Sequence, residues 1–365
     1  MMRRSTRNFK LGNLGIGNEY PVSTQSMTTI PVSDVEGNLA QIGRLYSVGC
    51  DIVRLAFDRA EEAVFLRQVI ERSPLPVVAD IQFDAASAIA AIKSGAAGIR
   101  LNPGLLKDPA ELREIAGLLQ EYDIPVRVGA NSGSIGTNEI RLRTASGADH
   151  DEALCDALVE GALQQCRSLE SFGVRKIKVA LKASSVKVTV MACRKFAEMT
   201  DYPLHLGVTE AGTAASGSIK SAVGIGSLLL DGIGDTIRVS LTAAPEEEIS
   251  VARRILASCG LRDEHPEIIS CPGCGRTEID LPGLVAQVEN LVERLKRSDC
   301  RIKAGKIAVM GCPVNGPGEA KDADLGIAGS RSGEQVILFQ KGMVLGAFSP
   351  EEGFARFAGL LSETD

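Results

Sequence analysis

The chain has 365 residues, 40 of them basic and 46 acidic, with an apolar fraction of 44%. That supplies a full core for one large domain plus a smaller one, or for two of medium size. A net charge of -6, no Trp and only 4% aromatics argue against a base-stacking nucleic-acid platform and against general attraction to anionic membrane, so any anionic ligand needs local positive charge.

The first seven residues are basic, but no apolar stretch follows them, so no signal peptide is expected. No run approaches the ~20 apolar residues of a transmembrane helix. Nine cysteines, an odd number in a long chain, do not suggest a secreted disulfide framework. The reducing cytoplasm is the expected compartment.

From about residue 20 to 242, short β-rich runs alternate with periodic helical stretches. Strands are predicted over 21–27, 51–57, 76–83, 98–102, 125–129, 176–182, 203–209 and 236–241. Helices are predicted over 34–48, 60–71, 85–94, 109–121, 151–172 and 185–199. Such alternation implies a parallel sheet, and eight strands in this length suit a (β/α)8 TIM barrel. A doubly wound open sheet is the rival. The barrel is preferred because no Gly-rich dinucleotide turn follows the first strand.

Near 243–266 the alternation stops, and a helix over 251–258 is read as leading into a second unit. The expected division is a barrel over 1–258, holding the substrate, and a small α+β domain over 259–365. In the latter, helices are predicted at 284–297 and 350–362 and strands at 306–310 and 334–339.

Barrel active sites lie at the C-terminal ends of the strands, and residues two apart on a strand face one side. Arg54 sits mid-strand. Arg100 precedes Asn102 by two, Asp80 precedes Gln82, and Lys182 precedes Ser184. Arg127 precedes Asn131 by four, His205 precedes Thr209 by four, and Arg238 is followed by Ser240 and Thr242. Taken singly, each is a solvated or paired side chain. Together, Arg54, Arg100, Arg127, Lys182 and Arg238 come from five strands and converge on one mouth if the barrel is right. Unpaired buried cations are costly, and arginine suits bidentate oxyanions, so a diphosphate is the simplest ligand. Glu210, at a strand end, is a candidate general acid or a salt-bridge partner. His205 reads as a hydrogen-bonded structural histidine. His150 and His265 fall in polar loops.

Cys271 and Cys274 form a CxxC pair in CPGCGRT (271–277), and Cys312 opens CPVNGPGE (312–319), which ends at Glu319. Soft thiolates suit an iron–sulfur cluster or zinc, and a CxxC pair can also be a redox dithiol. A structural zinc site would need Cys300 or Cys259 as fourth ligand. Cys300 reads as an exposed loop residue. Cys50, Cys155, Cys166, Cys193 and Cys259 read as core packing.

These stretches resemble those of bacterial 4-hydroxy-3-methylbut-2-en-1-yl diphosphate synthases nearly end to end. The resemblance is carried by YPVSTQSMT (20–28), DIVR (51–54), ADIQFD (79–84), RLNPG (100–104), VRVGANSGS (126–134), LKAS (181–184), PLHLGVTEAG (203–212), GIGDTIRVSL (232–241) and the two cysteine loops. It implies a barrel joined to a domain similar to those of sulfite and nitrite reductases. It implies a [4Fe–4S] cluster on Cys271, Cys274, Cys312 and Glu319. The substrate would be 2-C-methyl-D-erythritol 2,4-cyclodiphosphate, reduced by two electrons from flavodoxin or ferredoxin. Arg54, Arg100, Arg127, Lys182, Arg238 and Ser240 would hold the diphosphate, with Asn131 and Thr209 as neutral donors. Glu210 would be the proton donor, with Asp80 as supporting acid or hydrogen-bond partner. A head-to-tail homodimer is implied. One departure is Gln82, where the family often has His.

Overall fold

The computed structural model describes residues 2–82, 84–101, 108–134, 149–262, 266–298, 300 and 302–362, with side chains except at Ser134, Arg297, Asn315, Pro317 and Glu319. The chain divides into two compact units, Met1–Arg262 and Asp263–Asp365.

The first unit opens with a hairpin absent from the sequence reading, β1 (Phe9–Leu11) and β2 (Leu14–Ile16). Phe9, Leu11 and Ile16 pack with Ile52 and Val78, apolar residues near the starts of two barrel strands, so the hairpin plugs the N-terminal end of the barrel. The basic N-terminus is stapled to the same unit. Arg3 pairs with Asp235 at 2.7 Å, and Arg7 pairs with Glu170 at 2.7 Å and Asp201 at 2.8 Å.

Eight parallel strands follow: β3 (Ser23–Met27), β4 (Ile52–Ala56), β5 (Val77–Asp80), β6 (Gly98–Arg100), β7 (Val126–Asn131), β8 (Ile177–Lys182), β9 (His205–Leu206) and β10 (Thr236–Ile237). Their order is β8-β7-β6-β5-β4-β3-β10-β9, and a parallel bridge from Val179 to Leu204 closes the ring. This is the TIM barrel, not the open sheet. β9 and β10 are shorter than expected. The chain runs on beside them without regular pairing, although the Arg238 N–H still reaches Leu206 O at 2.9 Å.

The helices are α1 (Val35–Ser47), α2 (Ala63–Arg72), α3 (Ala85–Lys93), α4 (Pro109–Glu121), α5 (His150–Glu170), α6 (Val186–Met199), α7 (Ala214–Leu230) and α8 (Pro245–Ser258). Side chains cap several of their starts: Asp34 accepts from the Gly37 N–H, Asp84 from Ser87, and Ser185 from Val188. His150 begins α5 and is not in a loop. A second correction concerns α8. It starts at Pro245, and its Ile249, Ala252, Ile255 and Leu256 are buried in the barrel core, so it is a barrel helix and no connector. Pro at the first position and three glutamates in the first turn explain the early start.

The second unit is a sheet in the order β11 (Glu267–Ser270), β12 (Lys306–Met310), β13 (Leu325–Gly329), β14 (Val336–Gln340), β15 (Met343–Phe348). Only two of these strands were foreseen. The first three run parallel and the last two are antiparallel. Alternate residues separate two faces. Ile307, Val309, Ile327 and Leu338 meet α9 (Leu281–Arg297) and α10 (Pro350–Leu361) through Val288, Leu291 and Phe357. Ala308, Met310, Ala328 and Phe339 pack on the other face with Ala320 and Ala323.

Candidate active site

The barrel register brings the cations together. Asp80 stands opposite Arg100, Arg100 opposite Arg127, and Arg127 opposite Lys178, while Met27 stands opposite Arg54. Asp80 is buried and ties two arginines, with Arg54 Nε at 3.3 Å and Arg100 Nη1 at 3.1 Å. Gln82 Nε2 donates to the same carboxylate at 3.2 Å. Arg54 and Arg238 both point a guanidinium nitrogen at Met27 Sδ, at 3.2 and 3.7 Å. Arg238 Nε faces Glu248 Oε2 at 3.6 Å, and Glu248 also accepts from Ser26 Oγ and the Leu241 N–H.

Lys182 lies over Gly207. A Cβ at residue 207 would come within 2.7 Å of Lys182 Nζ and 2.6 Å of Arg238 O, so only glycine leaves room for the lysine head. Asn131 ends β7 opposite Lys182. Thr209 follows β9 and donates its N–H to Ala183 O at 3.3 Å. Ser240 is half-buried two residues beyond Arg238. Glu210 is exposed and held at φ 53, a left-handed conformation that a non-glycine residue adopts only under local constraint. Asn102 and His265 lie outside the described residues.

The charges are out of balance. Among the described residues, Arg54, Arg100, Arg127, Lys178, Lys182 and Arg238 share the lumen with the carboxylates of Asp80 and Glu248. Burial, then the charges of Arg54 and Arg100, pushes the Arg127 guanidinium well down. Burial, then Arg127 and Arg238, does the same to Lys182. Arg54 falls to about 10, chiefly through burial. The buried Arg127 Nε lacks a hydrogen-bond partner, and Arg54 Nε has the ion pair with Asp80 but no close hydrogen bond. Together these describe a cradle for a multiply charged anion.

In the second unit, Cys271 directly follows β11 and Cys312 follows β12 by two residues, and Ser270 stands opposite Val309 in parallel register. Both loops therefore leave the same end of the sheet. The Gly311 N–H donates to Cys271 Sγ at 3.2 Å. Cys312 is buried and Cys274 is exposed, with its N–H on Thr277 Oγ1 at 3.1 Å. A Cβ at residue 311 would meet Thr277 Oγ1 at 2.6 Å, so the two loops close on each other at a glycine. Val314–Glu319 coil into a wide helical turn that ends at Glu319, whose side chain lies outside the description. Among the described residues no three His, Cys, Asp or Glu converge as ligands of a single ion. Soft sulfurs with a backbone N–H aimed at one of them suit an iron–sulfur group, which spreads its ligands more widely than one ion does. Cys300 is exposed and precedes β12, on the side away from these loops. Burial drives the thiols of Cys50, Cys166 and Cys193 up to about 12, which keeps them inert.

The GcpE TIM-barrel domain matches residues 6–253, and the GcpE protein C-terminal domain matches residues 267–363. The chain belongs to the GcpE family. A protein of Fusobacterium nucleatum is 46% identical over 362 residues, covering 99% of this chain and 98% of the relative. One of a Sulfurihydrogenibium species is 47% identical, covering 96% and 95%, and one of Desulfotalea psychrophila is 43% identical, covering 100% and 96%. All three carry the name 4-hydroxy-3-methylbut-2-en-1-yl diphosphate synthase (flavodoxin).

In this GcpE barrel, sequence reasoning missed Lys178, Met27 and Glu248. The signal for Lys178 was present, since it lies four residues before Lys182 on one strand and so faces the same side. Met27 looks like packing until the register sets it against Arg54. Glu248 was hidden because its stretch was read as a loop and helix start where the strand–helix alternation stops.

Proposed function

We propose that this chain performs the reductive ring opening and dehydration of 2-C-methyl-D-erythritol 2,4-cyclodiphosphate, forming 4-hydroxy-3-methylbut-2-enyl diphosphate. Its family makes it an oxidoreductase of isoprenoid biosynthesis. The carrying observation is the excess of cations over carboxylates in the barrel lumen. Arg54, Arg100, Arg127, Lys182, Arg238 and Ser240 hold the diphosphate, and Asn131 and Thr209 donate neutral hydrogen bonds. Asp80, with both oxygens on arginines, orients Arg54 and Arg100 toward the ligand. Gln82 braces that carboxylate by hydrogen bonding, without histidine's capacity to move a proton. Glu210 gives a proton to the departing hydroxyl, which leaves as water.

Cys271, Cys274, Cys312 and Glu319 hold a [4Fe–4S] cluster, which when bound supplies electrons one at a time. The relatives' names specify flavodoxin, and we assign the same donor class here, with ferredoxin as the other candidate. A head-to-tail homodimer and a cytoplasmic location belong to the same proposal. Among the described residues no helix is long and apolar enough to cross a membrane.

Anaerobic purification with iron and sulfide analysis, followed by turnover of the cyclic diphosphate with reduced flavodoxin, tests the proposal. Iron-free protein, or a colourless zinc protein, sinks it. Bound iron without diphosphate turnover makes the chain a cluster carrier instead. Glu210→Gln turning over at the parent rate removes the acid role, and a stable, active monomer in solution scattering removes the dimer.

A further inference from the structure

One more cation stands in register with Arg127 inside the barrel. Lys178 sits near the start of β8, four residues before Lys182, and is 3% exposed. With Gln25, Arg54, Arg100 and Arg127 it lines a small space of about 10 Å³, roughly one water, with Leu11 of the hairpin also in its wall. Groups from every side surround it. Arg127 on β7, Arg100 on β6, Arg54 on β4 and Lys182 on its own strand are cationic. The nearby carboxylates are already engaged: Asp80 by Arg54 and Arg100, and Asp235 by Arg3, Thr6 and the Leu204 N–H. His205 on β9 is buried, with Nδ1 on Thr236 Oγ1 at 2.8 Å, and burial followed by Lys182 and Arg127 holds it neutral.

Cations crowded in an empty lumen repel one another, and relief comes from a group that can shed its proton. Lysine can and arginine cannot. Burial, and next the Arg127 charge, brings Lys178 down to about 7.

We infer that Lys178 is a positioning residue beside the diphosphate site, and that it takes up a proton when an anionic diphosphate enters the barrel. The inference rests on the diphosphate assignment above. The bound anion restores the positive charge, which then joins that of Arg127 beside it in the cradle. Opening the ring unmasks a further phosphate charge, and the same cation counters it as it develops. The sign follows from linkage. Lys178 is charged with or without ligand well below pH 7, so uptake is small there. Above pH 7 the empty barrel lacks the proton and the complex has it, so affinity weakens by up to about tenfold per pH unit for each proton taken up.

Calorimetric titration of cluster-loaded, unreduced protein with the cyclic diphosphate at pH 8, in buffers of differing ionisation enthalpy, counts the protons. The parent is expected to take up about one to two, with Lys182 supplying any second. Lys178→Arg keeps the charge but cannot titrate, so it binds with a flatter pH profile and takes up about one proton fewer. Lys178→Met loses the same proton and at least about tenfold in affinity. Equal uptake by the parent and Lys178→Arg overturns the inference. Should that variant not fold, a parent that binds without proton uptake between about pH 7 and 9 overturns it too. No binding by the parent instead overturns the diphosphate assignment itself.

Discussion

Replacing Asp80 with asparagine isolates the counter-charge of the barrel. The carboxylate is 3% exposed and holds Arg54 Nε at 3.3 Å and Arg100 Nη1 at 3.1 Å. Asparagine keeps the shape and one acceptor oxygen but removes the negative charge. The buried guanidinium of Arg54 and the half-buried one of Arg100 are left beside Arg127, with Glu248 as the other lumen carboxylate among the described residues. Removing one partner of a buried pair costs about 3–5 kcal/mol. For a unit of this size each kcal/mol moves the midpoint by about 2–4 °C, so a loss on the order of 10 °C is expected. An added anion refills the vacated charge. Inorganic pyrophosphate should therefore raise the Tm of Asp80→Asn by more than it raises the parent's, through tighter binding to the native state. Turnover should fall regardless, because the arginines are no longer oriented. Differential scanning fluorimetry with and without pyrophosphate reads both shifts. A variant that melts within roughly 2 °C of the parent and gains no extra protection would refute the assignment of Asp80 as the tie between the arginines.

Gly207→Ala sets a methyl group 2.7 Å from Lys182 Nζ and 2.6 Å from Arg238 O. KM for the cyclic diphosphate should rise at least about tenfold while circular dichroism stays unchanged; an unaltered KM would take Lys182 out of the site. Arg127→Ala should raise KM by about a hundredfold, as expected for a lost charged contact, and steady-state kinetics at saturating reductant decides it. Gly311→Ala drives a methyl into Thr277 Oγ1 at 2.6 Å and disturbs the N–H that reaches Cys271, so iron per chain after anaerobic isolation should drop. Full iron occupancy there would show that the two loops do not act together. Gly326→Ala would place its methyl against the buried Phe339 ring and should destabilise the second unit by about 1–3 kcal/mol, measurable by urea unfolding.

Much of the site was legible in the sequence because strand periodicity carries side-chain direction. Arg100 and Lys182 could be assigned to strand ends and Arg238 to the stretch just past one from local pattern alone, whereas Arg127 stands second in β7, which ends at Asn131, and the CxxC spacing marked one loop as a sulfur site. Long amphipathic helices such as α4, predicted and found over Pro109–Glu121, were readable from their own periodicity. The N-terminal hairpin was not. Its strands are three residues each, too short for a periodic signal, and they are held by packing on Ile52 and Val78, which lie far along the chain.

Alternation of short apolar runs with amphipathic helices determined a parallel α/β barrel, because each local segment carries its own buried face. Which cation meets which carboxylate was decided only in three dimensions. Strand register puts Asp80 beside Arg100, Met27 beside Arg54 and Lys178 beside Arg127, and side-chain reach across the closed ring adds Arg54 to Asp80 and Arg238 to Met27. Through-space charge coupling in a desolvated lumen depends on distances between residues far apart in the chain, and those distances exist only once the barrel has closed.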